Sequence, residues 1–207
     1  MHKGERKIGL EVERWILDPS GHILKDLPVE IQAYHRNVRE GFFHIDQNAA
    51  EIAFPPTTIE DLGEQLSTAR NIIERELAPL GYGKTRHKHI HLNIDILPKE
   101  QARLVQRRRF FSPSQLLPVP DLEAIPPQIR SIYLMRFLSL EDTQLRSILA
   151  RQLRQMGNRE DMSKGAMLVK KTDSIVLHFQ CNRYNLKGIY GLYKRIGSYL
   201  QSRVSRL

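Results

Sequence analysis

The sequence holds a single cysteine in 207 residues, Cys181. A lone thiol excludes an internal disulfide, and with it the small secreted scaffolds that depend on cross-links. Long apolar runs are missing too: no stretch approaches the roughly 18 residues that a membrane-spanning helix needs. The opening, Met-His-Lys-Gly-Glu-Arg-Lys, is charged and carries no apolar signal core, so no membrane association and a cytoplasmic address are expected. A glycine-rich phosphate loop is absent, because Gly81-Tyr82-Gly83-Lys84 has neither the spacing nor the following hydroxyl residue. There is no nucleophile elbow, no internal repeat and no low-complexity tract. What remains is ordinary for a folded protein, with 41% hydrophobic and 27% charged residues. One domain over residues 1–207 is the expectation from length.

Negative charge is in short supply. The formal net charge is +9, which suits nucleic acid and equally suits an enzyme acting on ATP and an acidic amino acid. Arg107, Arg108 and Arg109, followed by Phe110 and Phe111, form the densest basic run. It reads either as a solvated loop or, with Arg103 and Arg130, as one wall of a basic groove.

Hydrophobic periodicity supplies the layout. Ile8, Leu10 and Val12 alternate with Gly9, Glu11 and Glu13, which predicts a strand. Pro19-Ser20-Gly21 marks a turn, with a short return strand at His22–Leu24, and residues 25–41 read as loop. Phe42 to Phe54 predicts a hairpin with Ala50, Ile52 and Phe54 inward and Glu51 on the other face. A helix follows, capped by Thr57 with Glu60 or Thr58 with Asp61, with Ile59, Leu62, Leu66, Ala69, Ile73 and Leu77 on its apolar stripe. From Arg86 to Leu97 the period returns to two: Ile90, Leu92, Ile94 and Ile96 face one way, His87, His89, His91, Asn93 and Asp95 the other. Residues 98–127 read as loop with one short helix, and helices are expected near 128–138 and 141–156. Met167 to Cys181 reads as a strand with Ile175, Leu177, Phe179 and Cys181 on its apolar side. A last helix carries Leu186, Ile189, Tyr193, Ile196, Leu200 and Val204. The class implied is α+β, an antiparallel or mixed sheet with helices packed on one face.

The polar face of that sheet carries the chemistry. Glu11 and Glu13 stand two apart on one strand, roughly 6 to 7 Å along the chain. Two such carboxylates repel unless a cation sits beside them, and hard oxygen ligands suit Mg²⁺ or Mn²⁺. Glu51 can join from a neighbouring strand; the alternative is a solvated strand face. The alternate histidines 87, 89 and 91 share one side as well, where zinc binding, phosphate contact and plain solvation are the open readings. Cys181 falls on the apolar side of its strand and reads as a buried structural thiol.

The order of these pieces resembles the glutamate–cysteine ligases and related carboxylate–amine ligases, enzymes of glutamine-synthetase-like fold. Gly9-Leu10-Glu11-Val12-Glu13-Arg14 is similar to their opening strand. Ala50-Glu51-Ile52-Ala53-Phe54-Pro55-Pro56-Thr57 is similar to their "E-L-x-[ST]-P-P" stretch before a long helix. Pro126-Pro127-Gln128-Ile129-Arg130-Ser131-Ile132-Tyr133 resembles the segment leading into an "R-Y-x-x-M" helix. Met167 to His178 resembles their "M-x-x-T-A-S-x-Q-V-N" strand. The resemblance implies an enzyme that uses ATP to phosphorylate a carboxylate, usually of glutamate, and then forms an amide with an amine. It implies Mg²⁺ ligands at Glu11, Glu13 and Glu51, with His178 on the metal or phosphate, and nucleotide or substrate contacts from Thr172 and Arg14; His89 and His91 are candidates for the same contacts from their strand spacing alone. Val176 stands where the family usually has glutamine or histidine, His178 replaces an asparagine, and Asp173 replaces a small residue. The histidines at 87–91 lie outside the family pattern. Family members are commonly longer, and their second half closes the nucleotide site. Completion by a second chain or another copy, a compact member, and a non-catalytic remnant serving as a partner subunit are therefore the alternatives, beside a basic nucleic-acid-binding protein.

Overall fold

The alternation that begins at Ile8 forms a strand, and that strand lies inside a sheet. The computed structural model describes residues 6–32, 34–105, 136–139, 142–157, 166–170, 174–182 and 185–204. The strands are β1 (Ile8–Ile16), β2 (His35–Val38), β3 (Gly41–Asp46), β4 (Ala49–Ala53), β5 (Thr85–Ile96), β6 (Arg136–Ser139), β7 (Met167–Lys170) and β8 (Ile175–Cys181). They form one sheet in the order β2-β3-β4-β1-β5-β8-β7-β6, with every neighbouring pair antiparallel. The class is therefore α+β, with no parallel pair among the described residues.

Short connections join β2 to β3, β3 to β4 and β7 to β8, while the central strands β1, β5 and β8 pair over long sequence separations. β3 and β4 join through Gln47, whose φ of 55° is the left-handed conformation of a tight turn. Gly41 opens β3 where a Cβ would fall on the Ala53 carbonyl, so only glycine lets the strands approach. α1 (Val29–Gln32) and β2 occupy part of the stretch expected to be loop. The return at His22–Leu24 is reduced to one bridge between Leu17 and Ile23.

One face of the sheet is apolar. Ile8, Leu10, Val12, Ile52, Ile90, Leu92, Ile94, Leu177 and Phe179 are all within 2% of complete burial, and each such side chain contributes about 1.5–3 kcal/mol on leaving water. Three helices cover it with their own apolar stripes: α2 (Leu62–Leu77) with Leu66, Ile73 and Leu77, α4 (Thr143–Gln155) with Leu145, Leu149 and Leu153, and α5 (Leu186–Val204) with Ile189, Leu192 and Ile196. α2 starts three residues later than its stripe suggests. Thr58 Oγ1 donates to the Asp61 carboxylate at 2.9 Å, while the Asp61 N–H points back at Thr58, so the chain turns before the first helical residue. A 3-10 turn at Ala78–Leu80 and Gly81, with φ of 86°, end it as expected.

α3 (Pro98–Val105) is the short helix expected after β5. It is tied down by Glu100, which is 4% exposed and paired with Arg6 at 2.6 Å. The sheet corrects two expectations. Residues 136–138 belong to β6, not to a helix, and Met167 to Cys181 is two paired strands, β7 and β8, not one. Leu186 also departs from its expected inward position on α5 and is exposed. Residues 128–135, the basic run at 107–111 and Arg130 lie outside the described residues, as does Thr172. Cys181 is buried and its thiol is pushed up to about 12 by burial, so it is a structural group. Among the described residues no helix is long and apolar enough to cross a membrane.

Candidate metal and phosphate site

Directly opposed residues in an antiparallel pair share a face. β1 places Glu13 opposite Glu51 of β4 on one side and His89 of β5 on the other. β3 sets His44 opposite Glu51, and β2 sets His35 opposite His44. A single row thus crosses five strands as His35, His44, Glu51, Glu13 and His89. The next row carries Phe42, Ala53, Glu11, His91 and Gln180, and the one beyond it Asn93 and His178. The apolar and ionisable faces are consequences of one alternation.

This face is buried at Glu11 and Glu13 and half-buried at His44, Glu51, Lys88, His89 and His91. Glu11 is 7% exposed and Glu13 9%, and Phe42, Ala49 and Ala53 beside them are almost fully enclosed. A solvated strand face does not describe it. Buried carboxylates require partners, and the imidazoles supply them. His89 Nε2 lies 2.9 Å from Glu13 Oε1, while His91 sits between the two carboxylates, 3.3 Å from Glu11 Oε2 and 3.8 Å from Glu13 Oε1. The His89 and His91 rings stack at 4.9 Å, and His178 meets His91 edge-on at 5.0 Å.

An irregularity in β5 adds a cation. The register passes from Glu13↔His89 to Arg14↔His87, leaving Lys88 as the extra residue of a bulge. Simple alternation would place Lys88 with Ile90 on the apolar face. The bulge instead brings its ammonium to 2.7 Å from Glu13 Oε2 and 4.4 Å from the Trp15 ring centroid. The same shift parts His87 from the other two histidines, and its Nε2 lies 2.8 Å from the Asn182 carbonyl.

Proton affinities follow from this crowding. Burial, then the charges of Glu11 and Glu13 and a hydrogen bond to Glu13, push the Glu51 carboxyl well above the carboxylate range. The shift favours the protonated form, in which the carboxyl can donate to Glu13 across the strand pair. Burial alone would raise Glu13 as well, but hydrogen bonds from His89 and Lys88 and the charge of His91 overcome it and lower Glu13 to about 2. For His91, burial opposes the charged form, yet the bond to Glu11 and the nearby carboxylates win and raise it. His44 is lowered, by burial first, against the charges of Glu11, Asp46 and Glu13. Its Nδ1 is buried without a hydrogen-bond partner among the described residues, and its Nε2 is 3.7 Å from Glu51.

Of the residues singled out in the sequence, Glu11, Glu13, Glu51, His89 and His91 are brought together. His178 joins through one intermediary: its Nδ1 donates to Asn93 Oδ1 at 2.9 Å, and the Asn93 amide donates to Glu11 Oε1 at 3.0 Å. Arg14 turns to the helical side, where its Nε donates to Thr85 Oγ1 at 2.6 Å and Thr85 in turn donates to Glu74 of α2. It is a packing residue in this arrangement. Lys88, His44 and Asn93 were not singled out. A two-residue turn at Gln47-Asn48 would have paired His44 with Glu51; nothing in the sequence marks the bulge that redirects Lys88.

Glu13, His89 and His91 each offer a donor atom within 4.8 Å of the others, a span that one cation can bridge. No protein-family model, no curated protein and no solved structure matches the chain.

Proposed function

We propose that the chain is an ATP-dependent carboxylate–amine ligase of the glutamate–cysteine-ligase type on a glutamine-synthetase-like sheet, with glutamate or a similar acid as donor. The observation that carries this reading is the convergence of Glu11, Glu13 and Glu51 on one face of the sheet, with the first two buried and the third half-buried. Lys88 and the imidazoles balance only part of the charge of three carboxylates in such a space, so Glu51 is pushed towards its protonated form, and a divalent cation displacing that proton would balance the rest.

The donor set fits such a cation. Glu11, Glu13 and Glu51 provide the hard oxygens that Mg²⁺ takes, and the imidazoles of His89 and His91 extend the fit to Mn²⁺. When bound, the ion would screen the charge of the nucleotide phosphates. The protein's own groups then have distinct tasks. Lys88 and a protonated His91 present positive charge towards transferring phosphoryl oxygens. Asn93 and His178 hold Glu11 in place. Burial excludes water that would hydrolyse an activated acid. In the reaction the γ-phosphoryl group passes to a carboxylate oxygen and ADP departs. The amine nitrogen then forms the C–N bond as phosphate leaves with the acyl C–O electrons, and the amine gives up a proton. Completion of the nucleotide site by a second copy or another chain belongs to this reading, and ATP use agrees with a cytoplasmic address.

Calorimetric titration with Mg-ATP tests it on the intact chain beside Glu11→Ala and Glu51→Ala. The expected result is binding by the parent, lost in both variants, followed by ADP release that depends on glutamate and an amine. Absence of Mg-ATP binding by the parent chain overturns the ligase reading.

A further inference from the structure

On the other side of the helical layer the charge balance changes. α4 contains Arg146, Arg151 and Arg154, and α5 contains Lys187, Lys194, Arg195 and Arg203; neither helix holds an aspartate or glutamate. Several cations elsewhere are paired: Arg6 with Glu100, Arg36 with Glu76, Arg70 with Glu74, and Arg75 with Glu40 and Glu76. Among the described residues no ion pair involves Arg146, Arg151, Arg154, Lys187, Lys194 or Arg195, all of them exposed. Asp142, at the N-terminus of α4, is committed: it accepts from the Leu145 N–H that it caps and from the Tyr199 hydroxyl. Six exposed like charges on two packed helices repel one another, which favours a polyanionic partner.

The surface is also shaped. Glycines let α5 approach α4, since a Cβ at Gly188 would run into the Met156 side chain. Between the outer faces of the two helices lies a groove of about 490 Å³, lined by Arg151, Lys194 and Arg195 together with Ser147, Ser198 and Gln144. Guanidinium, ammonium, hydroxyl and amide groups are the usual donors to backbone phosphates. The cations continue past the groove to Arg154 and Lys187, along helices of 13 and 19 residues, about 20 Å and about 28 Å long at 1.5 Å per residue. That is too extended for one small anion. Tyr190, 40% exposed, lies one turn from Lys194, whose ammonium is 4.4 Å from the ring centroid. A cationic track flanked by an accessible aromatic is the arrangement that binds single strands. A membrane surface would call for an apolar wedge beside the cations; among the described residues the one aliphatic side chain lining the groove is the half-buried Ile148.

We propose that the groove between α4 and α5 binds the phosphate backbone of a single-stranded nucleic acid. The sheet's ionisable face takes no part, so the proposal stands apart from the ligase reading. The test is fluorescence anisotropy of the full chain with a labelled single-stranded oligonucleotide of mixed sequence, titrated at several salt concentrations. The triple variant Arg151→Gln/Lys194→Gln/Arg195→Gln is compared with Lys25→Gln/Arg39→Gln/Lys84→Gln, which removes the same charge from exposed sites on other elements. With single strands contributing about 0.7 to the log–log salt slope per phosphate, loss of three contacts lowers the slope by about 2. The groove variant should bind at least tenfold more weakly, while the control stays within about twofold of the parent. Tyr190→Ser should weaken binding several-fold without changing the slope. Equal losses in both triple variants would assign binding to net charge and overturn the groove. So would an absence of oligonucleotide binding, including the case in which phosphatidylserine vesicles are bound instead.

Discussion

Replacing Glu51 by glutamine preserves the shape of the side chain and removes its titration. The sign of the effect follows from the direction of its shift. A carboxyl whose folded-state pKa lies above its unfolded value stabilises the fold fully below the unfolded value, near 4.3, and loses that contribution as pH rises toward the folded value. Glu51 is shifted upward by burial and by Glu11 and Glu13, so near neutrality the parent carries a cost that the glutamine variant lacks. One proton gives about 1.4 kcal/mol per pH unit, so raising the pH from about 5 to about 7 separates the two proteins by at most about 3 kcal/mol. For a chain of this length about 1 kcal/mol corresponds to 2–4 °C in Tm, which sets a ceiling near 10 °C. The lowered His44 and the other titrating neighbours act in both proteins and largely cancel in the difference. Scanning fluorimetry should therefore find nearly equal midpoints near pH 4 and a higher midpoint for Glu51→Gln at pH 7. Adding Mg²⁺ or Mn²⁺ at pH 7 should raise the parent and leave the variant unmoved, because the variant has lost both a ligand and the charge the cation would balance. A difference independent of pH, or a variant less stable than the parent at pH 7, would refute the reasoning.

Glu13→Gln should behave in the opposite sense. Its folded pKa is lowered to about 2, with the bonds from His89 and Lys88 overcoming burial; the stability it contributes is present above about pH 4.3 and disappears as pH falls through about 2. Urea denaturation should show a loss of roughly 2–3 kcal/mol at neutral pH, shrinking as the pH approaches 2. Arg6→Ala should cost about 3–5 kcal/mol by leaving Glu100 buried and unpaired, since Arg6 and Glu100 are 6% and 4% exposed; calorimetric unfolding reads this, and Arg6→Met with Glu100→Leu should recover most of it. Gly41→Ala forces a Cβ onto the Ala53 carbonyl, and a loss above about 2 kcal/mol is expected by chemical denaturation.

Much of this fold is legible in the sequence where side chains alternate without interruption. Ile90, Leu92, Ile94 and Ile96 and the polar residues between them follow a period of two, and their faces are those the period assigns. Glu51 is placed on the face opposite Ala50 and Ile52 for the same reason. The failures come where short-range patterns do not carry the deciding contact. Arg136 to Ser139 pairs with β7, a long-range ladder that local helix propensity does not register. The break between β7 and β8 is hidden because residues on either side carry strand-like sequences. Arg14 follows two acidic residues in the motif, yet alternation from Val12 sends it to the helical side, where Thr85 receives it. His87 belongs with His89 and His91 by spacing, and the bulge at Lys88 separates them.

That bulge bears on how the site should be regarded. A sheet designed for stability alone would keep Lys88 out of a buried face and would not set Glu51 opposite Glu13. Each choice has a cost: Glu51 must retain a proton, His44 is held away from its charged form, and Glu11 needs Asn93 to occupy one of its oxygens. Lys88 offsets part of the excess negative charge, but only at Glu13. The remaining imbalance lies between Glu51, Glu11 and Glu13, and the partners present relieve it by protonation, the least effective way at neutral pH. A cation entering there would release the Glu51 proton, so binding should liberate close to one proton and tighten as pH rises. Proton release measured by calorimetry in buffers of different ionisation enthalpy links the structural cost to the function: if a cation binds with no proton released, Glu51 is not among its ligands.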